Sequence, residues 1–361
     1  MNKNNYCVIM AGGIGSRFWP MSRTAFPKQF HDILGVGRTL IQQTFDRFRT
    51  LCPTENILIV TNERYRDLVQ SQLPELAANQ ILCEPFMRNT APCVAYAAHR
   101  IQAANPDARM VVAPSDHLIL NTTQFEETIQ IAFDQSEKGQ LVTLGIKPTR
   151  PDTGYGYIQW ADDAAAINDR VKRVKTFTEK PDLELAKDFL ASGDFSWNSG
   201  IFIWKVGSIV AAFEHFLPDM NKAFSEGQAF YGSDKEQAFI NGMYAACENI
   251  SIDYGIMEKA KNVNVVLSDF GWSDLGTWGS LHGHLKHDDY RNGVVGKNVS
   301  LYNCSNNVVH MPDNKQVVLH GLNGYIVVDS GNTLLVCKLE DEQKIKTFVN
   351  DIKMKKGDEA V

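Results

Sequence analysis

The chain of 361 residues has no run of 18 apolar residues, no excess of basic charge and no Cys-x-x-Cys pair. The first absence leaves no candidate membrane helix, and the opening residues 1–5, Met-Asn-Lys-Asn-Asn, lack the apolar core of a secretory signal. A formal net charge of −6 is the wrong sign for a polyanion binder, so neither nucleic acid nor membrane is expected as a partner. The cysteines (Cys7, Cys52, Cys83, Cys93, Cys247, Cys304 and Cys337) are scattered and odd in number, which reads as buried free thiols rather than zinc ligands. A cytoplasmic protein is expected. Low-complexity linkers and long repeats are also missing, and no Ser-His or Cys-His arrangement suggests a covalent nucleophile. Hydrophobic content of 44% is ordinary for a globular chain, and the length suits a large domain with a smaller appendage.

What is present concentrates near the N-terminus. An apolar run at residues 7–10 is followed by AGGIGSRFWPMSRTAFPKQF, residues 11–30, which puts three glycines, two arginines and a lysine into one loop. Gly12, Gly13 and Gly15 let main-chain N–H groups approach an anion, and Arg17 and Lys28 add positive charge to that nest. Gly-x-Gly alone is weak, since dinucleotide folds share it. The prolines decide between the readings: Pro20 and Pro27 interrupt the helix that a dinucleotide loop enters, and no Gly-Lys-Ser/Thr of a Walker loop occurs. A polyphosphate cradle is the expectation.

Along the first half, apolar runs at 6–10, 57–61, 81–84 and 109–113 alternate with helical patterns at 40–49, 63–72 and 91–104. That alternation predicts an α/β domain with a mixed, mostly parallel sheet, whose ligands lie beyond the strands' carboxyl ends. Strands at 141–146, 155–159, 171–178 and 199–205, with a helix at 183–192, predict an extension with an antiparallel portion on the substrate side. Helices follow at 206–216 and 235–244, and after residue 289 short Val-rich pieces separated by Asn, Asp and Gly predict a small β domain. A β-helix fragment or a sheet would both fit. A charged helix at 340–353 closes the chain, and the expected boundary divides 1–288 from 289–361.

Carboxylates recur at strand ends. Asp116 follows Pro114 and Ser115 after an apolar strand, and Asp274 lies in a loop flanked by Trp272 and Trp278. Two such acids suit Mg²⁺, which takes one or two carboxylates and leaves its other positions to phosphate and water. The tryptophans are expected to pack so as to fix Asp274. Glu179 and Lys180 end another strand, where one can accept from sugar hydroxyls and the other can meet a phosphate. Asn198 offers a donor and an acceptor, Gly154 and Tyr155 bring backbone close to a ligand, and Asp253 adds a supporting carboxylate. Arg88, Asn89 and Thr90 stand at a helix start, a place for phosphate or base edges, with Thr90 as the candidate N-cap.

Together these segments resemble the mannose-1-phosphate guanylyltransferases of the sugar-nucleotidyltransferase family. The match runs in family order through AGGIGSRFWPMSRTAFPKQF, EPFMRNTAPCVAYAA, APSDH, TGYGYI, FTEKP, WNSGIF, SIDYGIMEK and WSDLGTW, over roughly residues 6 to 280. The resemblance implies a Rossmann-like nucleotidyltransferase core, a small C-terminal β-helix-like domain and a homodimer. It implies transfer of GMP from GTP to mannose 1-phosphate with Mg²⁺. By the family pattern, Ala11, Gly12, Gly13, Gly15, Ser16, Arg88, Asn89, Thr90 and Ser115 line the nucleotide, and Arg17 and Lys28 meet its triphosphate. Asp116 and Asp274 hold the metal, and Gly154, Tyr155, Glu179, Lys180, Asn198 and Asp253 hold the sugar phosphate. Arg17, Lys28, Asp116 and Lys180 carry the chemistry. Met87 departs from the glycine common at its position, and no isomerase domain follows residue 361, so no isomerase activity is expected. Transfer to another sugar 1-phosphate, or a non-catalytic regulatory subunit, is the alternative.

Overall fold

A computed structural model describes residues 1–161 and 169–357. Its contacts divide the chain into two compact units. The first comprises Met1–Gly12, Phe45–Ser115 and Ile119–Trp272. The second comprises Gly13–Thr44, Asp116–Leu118 and Ser273–Val361, so the glycine loop and Asp116 group with the C-terminal part. Among the described residues no helix is long and apolar enough to cross a membrane.

The first unit is built on a nine-stranded sheet. Its strands are β1 (Asn5–Met10), β2 (Ile57–Asn62), β3 (Ile81–Glu84), β4 (Arg109–Pro114), β5 (Leu141–Ile146), β6 (Gly156–Trp160), β7 (Val171–Glu179), β8 (Phe195–Lys205) and β9 (Val263–Ser268). The spatial order is β3-β2-β1-β4-β8-β5-β9-β7-β6, with β6 also pairing β8. Pairing is parallel from β3 through β4 and between β5 and β9, whereas β7 and β8 run against the rest. This is the mixed, mostly parallel sheet that the apolar runs predict. Strand β1 lies between β2 and β4, so the order reverses there, and the chain leaves β1 and β4 at the end where such sheets receive ligands.

Near-continuous burial of β2, β4 and β5 follows from helices covering the sheet, since both faces then need apolar side chains. The Ala-rich helix α1 (Thr90–Ala104) is buried along most of its length, packing Val94, Ala97 and Ile101 with Val8, Val60, Val112 and Trp204. Its N-cap is Asn89, whose side chain accepts from Thr90 N–H, and not Thr90 as expected. Thr90 is instead inside the helix, and its hydroxyl accepts from the Ile252 N–H. Helix α2 (Leu183–Ser192) has the predicted bounds because Asp182 caps it and Gly193 ends it at φ 80°.

The second unit carries short rungs: β10 (Gly293–Val295), β11 (Val299–Tyr302), β12 (Val308–His310), β13 (Val317–His320), β14 (Tyr325–Ser330) and β15 (Thr333–Lys338). Parallel ladders join β10 to β12 to β14, and β11 to β13, so the Val-rich pieces form β-helix-like turns closed by antiparallel β15. Buried asparagines stitch successive turns. Asn292 Oδ1 accepts from Asn307 Nδ2 at 2.8 Å, and Asn307 Oδ1 accepts from the Tyr325 N–H at 2.8 Å. Each satisfies backbone that a tight corner leaves unpaired. Helix α3 (Ile345–Lys356) follows, starting later than predicted because Leu339–Lys344 winds as a 3₁₀ turn.

Candidate active site

In the second unit the glycine loop folds around Lys28. Gly15 has φ 68°, and a Cβ there would lie 2.6 Å from Lys28 Cβ, so only glycine lets the loop close on this side chain. Lys28 is 3% exposed. Its Nζ lies 2.8 Å from Asp116 Oδ2 and donates to the carbonyl oxygens of Asp274 at 2.9 Å and Leu275 at 3.0 Å. An ammonium has three donors, and all three are used. Leu275 is held at φ 44°, which costs a non-glycine residue on the order of 1 kcal/mol and needs such anchoring. Asp274 Oδ1 accepts from the Gly276 N–H at 2.9 Å, fixing the acid within the turn. Burial pushes the Asp116 carboxyl up, but the Lys28 ammonium and His117 outweigh it and hold it below the usual carboxylate range.

Arg17, in the 3₁₀ turn Ser16–Phe18, has a buried Nε without a hydrogen-bond partner among the described residues. An anion would satisfy it. Gly13 accepts from Gln29 Nε2 at 3.0 Å through its carbonyl, which ties down the loop's start. Trp278 is buried beside Phe18, ring centroids 4.9 Å apart, in the same apolar cluster as Leu275. Lys28 takes one oxygen of Asp116 and two main-chain carbonyls, and the carboxylates of Asp116 and Asp274 are of the donor type that Mg²⁺ takes, one or two to an ion. The residues present therefore fit such an ion.

The first unit holds the other predicted residues in two groups. In one, Ala11 is buried with its N–H bonded to the Val60 carbonyl at 2.8 Å, and Ser115 N–H bonds the Met10 carbonyl at 3.0 Å, so the ends of β1 and β4 are fixed. Next to Gly12 stands Glu84, which reading the sequence missed. A Cβ on Gly12 would lie 3.5 Å from Glu84 Oε2, while Oε1 accepts from the buried Tyr244 hydroxyl. Burial pushes the Glu84 carboxyl up to about 7, with Tyr244 pulling the other way. Its signal was available: a charged residue ending an apolar strand at the ligand end of the sheet. Arg88 donates to the Ala245 carbonyl at 3.0 Å, its buried Nε has no hydrogen-bond partner among the described residues, and Asn89 serves as the helix cap.

In the other group, Gly156 pairs with Glu179 across β6 and β7. A Cβ on Gly156 would lie 2.3 Å from Glu179 Oε2, so in this arrangement the carboxylate occupies the space that a side chain would take. Glu179 is ion-paired with Lys180, and the Lys180 N–H bonds the Tyr155 carbonyl at 3.2 Å. Asn198 donates through Nδ2 to Asp253 Oδ1 at 2.7 Å and accepts at Oδ1 from Gly200 N–H and Thr143 hydroxyl. Burial, then the nearby Glu179, raise the Asp253 carboxyl to about 6. Gly154 N–H bonds Asp152 Oδ1 at 2.9 Å, and the Tyr155 ring meets Trp197 at 5.0 Å and Trp272 at 5.2 Å. Trp272 thus packs its ring against Tyr155, whereas Trp278 lies in an apolar cluster with Phe18 and Leu275.

A mixed sheet with its order reversed at β1, a glycine and cation loop after that strand, and carboxylates at strand ends are the marks of a nucleotidyl transferase. The model of the family so described matches residues 6–289. Among curated relatives, a mannose-1-phosphate guanylyltransferase of Klebsiella pneumoniae is 36% identical over 98% of this chain and 74% of its own. One of Escherichia coli is 36% identical over 96% of this chain and 73% of its own. A solved structure from Thermus thermophilus, described as a mannose-1-phosphate geranyltransferase, is 31% identical with a TM-score of 0.86, covering 97% of this chain and 99% of that one. The chain belongs to the mannose-1-phosphate guanylyltransferase family.

Proposed function

We infer that the protein transfers GMP from GTP to mannose 1-phosphate, giving GDP-mannose and pyrophosphate. The likeness to relatives of that name over nearly the whole chain carries this reading. The geometry supports a division of labour. Arg17, with its unpartnered Nε, takes the triphosphate together with the backbone of Gly13, Gly15 and Ser16, while Lys28 organises Asp116 and the Asp274 turn. Glu84, Gly12, Arg88 and Asn89 face the nucleoside, with Ala11, Thr90 and Ser115 fixing the backbone beneath. Lys180 and Glu179 take the sugar phosphate, oriented by Asn198, Asp253 and Tyr155.

The attacking group is an oxygen of the sugar phosphate. A phosphate monoester has a second pKa of about 6, so it is mostly deprotonated at neutral pH and needs no general base. That oxygen bonds to the α-phosphorus of GTP as the bond to the β-phosphate bridging oxygen breaks, and pyrophosphate leaves with those electrons. The obstacle is charge, because two phosphorylated substrates bring roughly six negative charges together. Arg17 and Lys180 lower that repulsion, and rigid placement of the reactants supplies the remainder. Mg²⁺ bound by Asp116 and Asp274 would add positive charge to the phosphate oxygens.

Pyrophosphate release, measured for four nucleoside triphosphates against a panel of hexose 1-phosphates with Mg²⁺, tests the reading. GTP with mannose 1-phosphate is expected to be the best pair; no release from that pair refutes it. The family match ending at residue 289 supports domains at 1–288 and 289–361. All seven cysteines are free and buried, which supports a cytoplasmic protein. Leu334 and Val336 are exposed on β15, the edge of its sheet, and support a homodimer through the C-terminal β domain. Light scattering of the purified chain should give twice the 40.4 kDa chain mass, and a monomer mass contradicts it.

A further inference from the structure

The two oxygens of Glu84 have different neighbours. Oε1 accepts from the Tyr244 hydroxyl, and Oε2 faces Gly12. Glu84 is 7% exposed and Tyr244 wholly buried, so neither exchanges its partner for water at little cost. The titratable groups around the carboxyl are the Tyr244 phenol and the thiols of Cys83, Cys93 and Cys247, with the Arg88 guanidinium beside Cys247. Among the described residues no cation pairs with Glu84 directly.

We propose that Tyr244 is a positioning residue that keeps Glu84 Oε2 an acceptor, and that this pair selects guanine over other purines. The proposal rests on Glu84 being the guanine contact in the reading above. Guanine presents two adjacent donors, N1–H and the N2 amine. Hypoxanthine lacks the amine, and adenine has an acceptor at N1. A deprotonated Glu84 Oε2 accepts from these donors, whereas a protonated one meets them with a donor of its own. Because Oε1 already receives the Tyr244 proton, a proton taken up by the carboxyl goes to Oε2, the oxygen that the base needs.

The sign of the pH effect follows. Burial raises Glu84 to about 7 and Tyr244 opposes this, so removing the hydroxyl raises the carboxyl further. Falling pH then turns the acceptor into a donor facing donors, and guanine binding weakens first in the variant lacking the hydroxyl. The sugar phosphate's own titration is common to every variant and cancels in the comparison.

The experiment is the pH profile of kcat/KM for GTP and for ITP in the wild-type chain, Tyr244→Phe and Glu84→Gln. Tyr244→Phe should move the acid limb for GTP to higher pH and lose roughly five- to tenfold near pH 7, regained in alkali, with the loss in KM and not kcat. Glu84→Gln should lose roughly a hundredfold for GTP at every pH and bring the GTP-to-ITP preference close to one. A wild-type pH profile in Tyr244→Phe overturns the role of Tyr244. An unchanged GTP-to-ITP preference in Glu84→Gln overturns the role of Glu84, and absence of turnover in the wild-type chain overturns the reading beneath both. Circular dichroism and urea midpoints of each variant separate these results from misfolding.

Discussion

Asp116→Asn should lower turnover with GTP and mannose 1-phosphate by roughly a hundred- to a thousandfold while the protein still folds. The amide keeps the shape of the side chain and still accepts from Lys28, whose other two donors stay on the Asp274 and Leu275 carbonyls. What is lost is the negative charge, one of the two carboxylates proposed for the divalent ion. Titration with Mn²⁺ should therefore show weaker binding in parallel with the loss of rate. Near-normal turnover and unchanged Mn²⁺ affinity would remove Asp116 from the metal site.

The acid at 116 was legible because its position is local: an apolar strand ends, a carboxylate follows, and the sheet's ligand end is known from strand direction. Helix α2 was legible to the residue for a similar reason, since Asp182 and Gly193 bracket it. The 3₁₀ turns at Glu63–Tyr65 and Leu339–Lys344 shortened two helices predicted from periodicity, which carries little information about how a helix begins. Helix Thr122–Ser136 and strand β9 passed unnoticed between stronger patterns. Long-range partnership was least legible. Glu84 takes its character from Tyr244 and Gly12, far away in the chain. Asn198 reads in the sequence as an amide open to sugar hydroxyls; in the fold one of its two N–H donors goes to Asp253 and its oxygen accepts from Thr143 and Gly200. Such an amide orients its neighbours. Residue type announces chemistry, whereas the remaining hydrogen-bond capacity depends on the fold.

Lys28 shows that distinction with the largest consequence for stability. Its flanking glycines mark it as a phosphate ligand, but in the folded chain its three donors are committed to Asp116, Asp274 and Leu275. Lys28→Met should keep the volume of the stem and lose the charge, leaving two carbonyls and a carboxylate short of their donor. The cost should be roughly 2–4 kcal/mol, discounted because Asp116 retains some solvent contact. Its pH dependence is specific. Asp116 titrates below the usual carboxylate range in the fold, so its pairing stabilises above the unfolded pKa of about 4 and is lost as pH falls through the lower folded value. The difference between Lys28→Met and wild type in urea unfolding should thus be full at pH 7 and shrink below about pH 4 as the Asp116 share disappears. Turnover should fall by roughly a hundredfold or more, because the Asp274 turn and Asp116 lose their common anchor. A variant as stable as wild type at pH 7, yet equally inactive, would return Lys28 to the triphosphate as a direct contact. Instability together with inactivity assigns it to holding the two acids in place before either substrate arrives.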